Sequence, residues 1–173
     1  MELNPEEISI ISTALGGLLA LLGGIGSSYF LEKWKNDRAE KSLAWAFYGE
    51  VSSICKLIRS RKYVEEFREH AIRLRKAETT NRQVMKADYE YFHIFKNNSS
   101  SIGILSSEIT EKIVSFYVLG TAVLEDIHSL SVGYHNDKSN ESISVFFDEI
   151  SSMFSLMLRQ GDELVQLIER KYS

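Results

Sequence analysis

The amino-acid sequence predicts an all-α protein in which an N-terminal transmembrane helix continues into a cytosolic four-helix bundle. Three observations lead to this prediction. An uncharged stretch runs from Ile8 to Leu31, apolar residues beyond it recur at helical spacings, and no stretch alternates with a period of two. We divide the chain into an anchor over residues 1–36 and a helical bundle over residues 37–173.

The uncharged stretch is long enough to cross a membrane. As a helix rising 1.5 Å per residue it covers about 36 Å, and a bilayer core is about 30 Å thick. Its apolar character runs all the way round the helix, as in membrane and buried helices. The acidic start, with Glu2, Glu6 and Glu7, differs from the basic start of a cleaved export signal. The central helix of a soluble protein stays open as an alternative.

The residues on either side of this stretch predict its orientation. No Lys or Arg precedes it, whereas Lys33, Lys35, Arg38 and Lys41 follow it. Positively charged flanks stay in the cytoplasm, so we expect the N-terminus outside and the C-terminal domain in the cytosol. The single cysteine, Cys55, agrees with a reducing compartment because it can form no disulfide within the chain.

Small residues occupy every fourth position of the predicted anchor. They are Ser12, Gly16, Ala20, Gly24 and Ser28. Such a stripe lets membrane helices approach each other closely, so it predicts that the anchors associate into a homo-oligomer. Glycine is also common in membrane helices without a packing role, and this explanation stays open.

The cytosolic part shows four helical patterns. The first continues from the anchor to about Lys76, and the second covers about Gln83 to Lys96. The third begins after a cap at Ser106 or Ser107, and the last begins at Ser139 or Asn140.

The last helix carries the clearest pattern in the chain, a seam of apolar and small residues with heptad spacing. Its positions are Ile143, Phe147, Ile150, Phe154, Met157, Gly161, Leu164 and Ile168. Such a seam needs a partner along its length. The partner is either another helix of the same bundle or the same helix of a second subunit.

Residue patterns typical of catalysis and metal binding are missing from the sequence. The four histidines lack metal-ligand spacing, and no HExxH, CxxC, P-loop, GxGxxG or GxSxG occurs. Cys55 lies beside the apolar face of the first helix, so we interpret it as a buried structural cysteine. The sequence therefore predicts no enzyme, no metal site and no cofactor.

The candidate ligand site consists of basic residues crowded into one segment. They are Arg59, Arg61, Lys62, Arg68, Arg73, Arg75, Lys76 and Arg82. Arg pairs with phosphate oxygens, and the aromatic segment YEYFHIFK that follows offers rings on which bases stack. Basic residues near a bilayer also attract anionic lipid, so a lipid-facing or merely solvated role stays open. Duplex nucleic acid is not an expected partner.

The segment from Tyr91 to Tyr117 contains IGIL and IVSFY in sequence, and it is similar to a segment of small bacterial membrane-anchored proteins. In layout, size and charge the chain also resembles the single-anchor membrane effectors of type III CRISPR antiviral defence. This resemblance implies a single-pass protein of the bacterial inner membrane. Its cytosolic domain would bind a cyclic oligoadenylate, a cyclic oligonucleotide, and its oligomerised anchors would damage the membrane. The resemblance assigns no ligand-binding role to particular residues.

Two other functions fit the same sequence. A membrane-tethered adaptor would bind a partner protein through the C-terminal heptad helix. A phage-encoded exclusion or lysis factor would share the anchor, and the sequence does not separate it from a defence effector.

Overall fold

The computed structural model of the chain describes residues 4–79, 89–133 and 137–173, with the side chains of the first helix described from Tyr29 onward. All secondary structure in these ranges is helical, as the sequence predicts. The α-helices are α1 (Pro5–Ser60), α2 (Tyr63–Arg75), α3 (His93–Asn98), α4 (Ser107–Ser131) and α5 (Asn140–Tyr172), and two 3₁₀ helices cover Tyr89–Phe92 and Ser99–Ile104.

The chain divides into two compact units, Met1–Lys41 and Ser42–Ser173. In the first unit the backbone is helical from Pro5 onward. Side chains of the predicted small-residue stripe, and those of most of the uncharged stretch, lie outside the described part of the structure.

Large apolar side chains are exposed where the first unit is described. Tyr29, Phe30, Leu31 and Trp34 have exposed fractions of 69%, 77%, 56% and 59%. Arg38 lies over the Trp34 ring, with its Cζ 5.5 Å from the ring centroid. Four large apolar residues within six positions, each more than half exposed, are unusual for a helix surrounded by water.

The second unit is built around α5, whose predicted heptad seam is buried along its whole length. Phe67 of α2 packs against Phe147 and Phe154, with ring centroids 5.5 Å and 5.6 Å apart. On another side of α5, Val51 and Cys55 of α1 lie against Gly161. Helices of the same chain therefore cover the seam, and it is not an open face for a second subunit or a partner protein.

The first helical pattern does not continue to Lys76 as predicted, because the chain breaks into α1 and α2. Lys62 adopts a left-handed backbone conformation, with φ 52° and ψ 37°, and this residue ends the helical path. The turn is closed by backbone hydrogen bonds from Arg61 N to Leu57 O and from Lys62 N to Arg59 O, both 3.0 Å. The break lets α2 fold back onto α5, where Ser151 Oγ donates to Val64 O at 2.8 Å.

The predicted starts of the last two long helices are confirmed. Ser106 is the N-cap residue of α4, although its side chain accepts no hydrogen bond from the first turn. Ser139 caps α5, and its Oγ accepts a hydrogen bond of 3.2 Å from Ser142 N. A polar residue before an apolar helical pattern predicts such starts well, because the first amides of a helix need an acceptor.

The helix predicted over about Gln83 to Lys96 is wrong in its described part. A 3₁₀ helix covers Tyr89–Phe92, and only then does α3 begin. The cause is Glu50 of α1, whose carboxylate accepts hydrogen bonds from Ile94 N and Phe95 N at 2.6 Å and 3.2 Å. These amides therefore bond across to α1 instead of to the preceding turn of a continuous helix.

Two glycines allow close packing within the second unit. A Cβ added at Gly120 of α4 would lie 2.6 Å from Cζ of Phe92. A Cβ added at Gly161 of α5 would meet Cys55 Sγ even more closely, and Phe116 Cε2 at 3.1 Å. At these two positions α4 and α5 pack so closely against their neighbours that there is no room for a side chain larger than hydrogen.

One helix among the described residues, α4 (Ser107–Ser131), is long and apolar enough to cross a membrane by length and composition. It lies in the middle of the chain, not at the N-terminus, where the sequence predicts the anchor. In its most apolar window 39% is buried inside the protein, and residues such as Ile113, Phe116 and Val123 belong to the core. Part of the apolar character of α4 is therefore explained by its packing in the protein core.

Candidate functional site

Three of the eight predicted ligand residues form ion pairs within the protein. Arg59 Nη2 lies 2.7 Å and 2.6 Å from the two carboxylate oxygens of Asp162. This hydrogen bond raises the pKa of Arg59. Arg75 pairs with Asp148, and its Nε donates to Ser144 Oγ at 3.1 Å.

The third of these residues, Lys76, lies 3.9 Å from Glu78 at the exposed end of α2. Arg59 and Arg75 therefore tie α1 and α2 to α5, and their charges are matched by acidic residues of the C-terminal helix. Part of the positive charge of α1 and α2 is thus paired within the protein.

Four predicted residues, Arg61, Lys62, Arg68 and Arg73, have exposed side chains. Arg61 and Lys62 lie together in the turn between α1 and α2. Arg68 and Arg73 are five residues apart on α2, so they point in directions about 140° apart around the helix. The eighth residue, Arg82, lies outside the described residues. Among these exposed residues the structure thus groups Arg61 with Lys62, whereas Arg68 and Arg73 lie on different faces of α2.

An apolar cavity with a volume of about 60 Å³ lies next to this turn. Its wall is formed by aliphatic and aromatic residues of α1, α2, α4, α5 and the first 3₁₀ helix: Ile54, Leu57, Ile58, Tyr63, Tyr91, Phe92, Gly120, Val123, Leu124, Ile127, Phe154 and Met157. Tyr91 is 48% exposed, so it stands at the boundary between the cavity and solvent.

Tyr63 in the cavity wall interacts electrostatically with Tyr91, also in the wall, and with Arg61 of the basic turn. Burial raises the pKa of Tyr63, and the neighbouring Tyr91 adds to the increase. Arg61 acts in the opposite direction, because its positive charge stabilises a phenolate. Tyr63 directly follows Arg61 and Lys62 in the chain, and its electrostatic interactions with Arg61 and Tyr91 place these four residues in one region.

The volume of the cavity limits what it can enclose. A cavity of 60 Å³ holds no more than a few water molecules. Pockets that enclose small molecules measure about 300–1,000 Å³. In this conformation the cavity is therefore too small to enclose a molecule of nucleotide size.

Glu50 is a second polar centre, and the sequence analysis missed it. Besides the two amides of α3, its carboxylate accepts a short hydrogen bond from the Tyr117 hydroxyl. The Tyr117 ring in turn stacks on Phe95, with centroids 4.3 Å apart. The signal was present in the sequence, because Glu50 lies three residues after Phe47 and four before Ile54 on the apolar face of α1.

Catalytic and metal-binding groups are sparse in the parts of the chain that the structure describes. No three His, Cys, Asp or Glu residues there come together as metal ligands. Cys55 is buried, as predicted, and burial raises the pKa of its thiol to about 11. A thiol with such a pKa is a poor nucleophile near neutral pH.

Comparison of the chain with protein-family models, with curated proteins and with solved structures finds no match. The function must therefore be inferred from the chemistry of these sites.

Proposed function

We propose that this chain is a single-pass protein of the bacterial inner membrane, with residues 1–36 as the anchor and residues 37–173 as a cytosolic four-helix bundle. The uncharged stretch from Ile8 to Leu31 and the basic residues that follow it support this arrangement. The exposed Tyr29, Phe30, Leu31 and Trp34 add support, because large apolar and aromatic side chains are stable at the boundary between lipid and water.

We further propose that the cytosolic bundle is a non-enzymatic sensor of an anionic nucleotide, and that the anchors act together on the membrane as an antiviral defence effector. The observation that carries this proposal is the grouping of Arg61 and Lys62 with Tyr63 and Tyr91. The cations attract phosphates and the rings stack on bases, a combination typical of single-stranded nucleic-acid binding. A cyclic oligoadenylate offers repeated phosphates to the repeated basic turns of a symmetric oligomer.

The mechanism would be a shift between two packings of the bundle. The cavity is too small for a nucleotide base, so binding favours a packing in which Tyr91 and the first 3₁₀ helix move away from α4. The small-residue stripe of the anchor, from Ser12 to Ser28, holds the anchors together in the oligomer. α1 contributes residues to both units, so the bundle and the anchor are linked through one helix.

Binding to the full-length protein in lipid nanodiscs tests this proposal. Cyclic tri-, tetra- and hexa-adenylate are titrated separately, and we expect a micromolar or lower dissociation constant for one ring size. The Arg61→Ala/Lys62→Ala variant should weaken binding at least tenfold. The Lys138→Ala/Arg170→Ala variant removes the same charge elsewhere and should bind like the wild type. Absence of binding at micromolar concentration for every ring size would contradict the proposal.

A further inference from the structure

The surface of α1 that directly follows the uncharged stretch separates basic from acidic side chains. At about 100° per residue, each group covers little more than a third of the helix circumference. One side carries an indole and three cations: Trp34, Lys35, Arg38 and Lys41. The opposite side carries three acids with Lys33 between them: Glu32, Asp37 and Glu40. All four residues of the basic side are exposed, so they form a cationic surface that a ligand can reach.

Trp34 and Arg38 are paired on this basic side. The guanidinium of Arg38 lies over the indole ring, with Cζ 5.5 Å from the ring centroid, and such cation–π contacts are attractive. Because the ring belongs to the residue four positions earlier, the Arg38 side chain extends one turn back toward the uncharged stretch. The residues one turn away from Arg38 are Trp34, Lys35, Lys41 and Ser42. No acid among these neighbours competes for the N–H donors of the guanidinium.

The position of this pair along α1 matches the depth of lipid phosphates. Trp34 lies three residues beyond Leu31, the last residue of the uncharged stretch, which is about 4.5 Å along a helix. The polar layer on each side of the hydrocarbon core of a bilayer is about 5–7 Å thick. With the uncharged stretch in that core, the indole and the guanidinium over it lie in the polar layer, where tryptophan is enriched.

Apolar side chains continue this surface toward the uncharged stretch. Phe30 and Leu31 precede Trp34 by one turn and are 77% and 56% exposed. A ligand that covers the whole surface must therefore carry an anionic group beside an apolar chain. A phospholipid has both parts, whereas a nucleotide or inorganic phosphate has no chain to cover Phe30 and Leu31.

We propose that Trp34 and Arg38 form a binding site for the phosphate group of an anionic phospholipid in the cytoplasmic leaflet. Arg38 binds phosphate oxygens through its planar N–H donors, and Lys35 and Lys41 add positive charge on the same side of α1. The acyl chains lie along Phe30 and Leu31. This inference rests on the proposed anchor and adds a lipid ligand to it.

Lipid titration of the full-length protein in detergent tests the site, with native mass spectrometry measuring the fraction of protein that carries lipid. Phosphatidylglycerol should bind at least tenfold more tightly than diacylglycerol, which has the same chains but no phosphate. Arg38→Gln should weaken phosphatidylglycerol binding at least fivefold, because it removes the charge-assisted hydrogen bonds. Lys33→Gln removes the same charge on the acidic side of the helix and should bind within twofold of the wild type. Equal losses in the two variants, or equal binding of the two lipids, would overturn the proposal.

The fluorescence of Trp34 tests the depth of the site independently. The chain has two tryptophans, so Trp34 is the only one in the Trp45→Phe variant. In vesicles, phospholipids brominated near the headgroup end of the acyl chain should quench this fluorescence more strongly than phospholipids brominated near the chain end. The reverse order, or no quenching by either lipid, would overturn the proposed position.

Carbonate extraction of vesicles distinguishes failure of this inference from failure of the proposed function. If the anchor is wrong, alkaline carbonate releases the wild-type protein from the vesicles. If only the lipid site is wrong, the protein stays in the membrane, and the Arg38→Gln and Lys33→Gln variants bind phosphatidylglycerol alike.

Discussion

Glu50 is a single charged side chain that binds the chain at the boundary between the first 3₁₀ helix and α3. Three donors, Ile94 N, Phe95 N and Tyr117 Oη, converge on its carboxylate. Through these contacts α1 fixes α3 and α4 at one point, beside the cavity wall formed by Phe92. A carboxylate with several donors is stable at a half-buried position, where an unpaired charge would be unfavourable.

Replacement of Glu50 by Gln should destabilise the protein by about 1–3 kcal/mol. The amide nitrogen cannot accept a hydrogen bond, so at least one of the three donors loses its acceptor. Urea unfolding of the full chain in detergent measures the change. Tyr117→Phe removes only one donor and should have a smaller effect. A Glu50→Gln variant as stable as the wild type would show that water satisfies these donors equally well.

Cys55 should be inert in the folded protein and should make stability depend on pH in the alkaline range. The native thiol keeps its proton to about pH 11, whereas an unfolded thiol loses it at about pH 8.5. Above that pH the native state binds more protons than the unfolded state, so stability falls as pH rises.

Two measurements check the properties of Cys55. Alkylation at pH 8 should be at least 100-fold slower in the native protein than in urea. The Cys55→Ala variant should lose less stability than the wild type between pH 8 and pH 10. Rapid alkylation of the native thiol would show that Cys55 is accessible.

At the scale of helices, the sequence predicts those features that depend on neighbouring residues in the chain. The all-α class, the seam of α5 and the caps at Ser106 and Ser139 follow from helical periodicity and from polar residues before apolar runs. The break at Lys62 was not predictable in the same way. A left-handed turn commonly uses Gly or Asn, and Lys carries no such signal. The division of the Tyr89–Asn98 region depends on Glu50, which is distant in sequence.

Gly49 and Gly161 lie in different surroundings, so replacement by alanine should have opposite effects on stability at the two positions. Nothing lies within 4 Å of a Cβ added at Gly49, so Gly49→Ala should stabilise α1 by about 1 kcal/mol through helix propensity. At Gly161 the same change meets Cys55 and Phe116, and overpacking should destabilise the protein by about 1–3 kcal/mol. Thermal unfolding of both variants measures the two effects. Stabilisation by both substitutions would show that the contact at Gly161 relaxes freely.

At the scale of the whole molecule, the sequence alone indicates only part of the proposed ligand site. The sequence locates the basic segment, but it does not show that Asp162 and Asp148 of α5 neutralise Arg59 and Arg75. Those partners lie far away along the chain, and their pairing depends on how the helices pack. The proposed site uses only the basic turn at Arg61 and Lys62 beside two tyrosines, because the exposed Arg68 and Arg73 lie on other faces of α2.

The proposed anchor leads to a prediction at the scale of the whole molecule. Leu19→Arg places a charge in the middle of the uncharged stretch, where an arginine costs about 2.5–3.5 kcal/mol on membrane insertion. We expect the wild type to stay with membranes after carbonate extraction and Leu19→Arg to appear largely in the supernatant. Leu19→Ala keeps the stretch apolar and should behave like the wild type. Release of the wild type by carbonate would contradict the anchor.

The central position of α5 also affects biosynthesis. The hydrogen bond from Tyr48 to Glu169 and the ion pair from Arg59 to Asp162 join residues that the ribosome adds far apart in time. At about 5–20 residues per second, translation from Ser60 to Asn140 takes about 4–16 s. During that interval the nascent α1 and α2 lack the helix that covers their apolar faces. If residues 1–36 form the proposed anchor, its insertion into the membrane would precede folding of the rest, and a chaperone would bind the nascent chain in that interval.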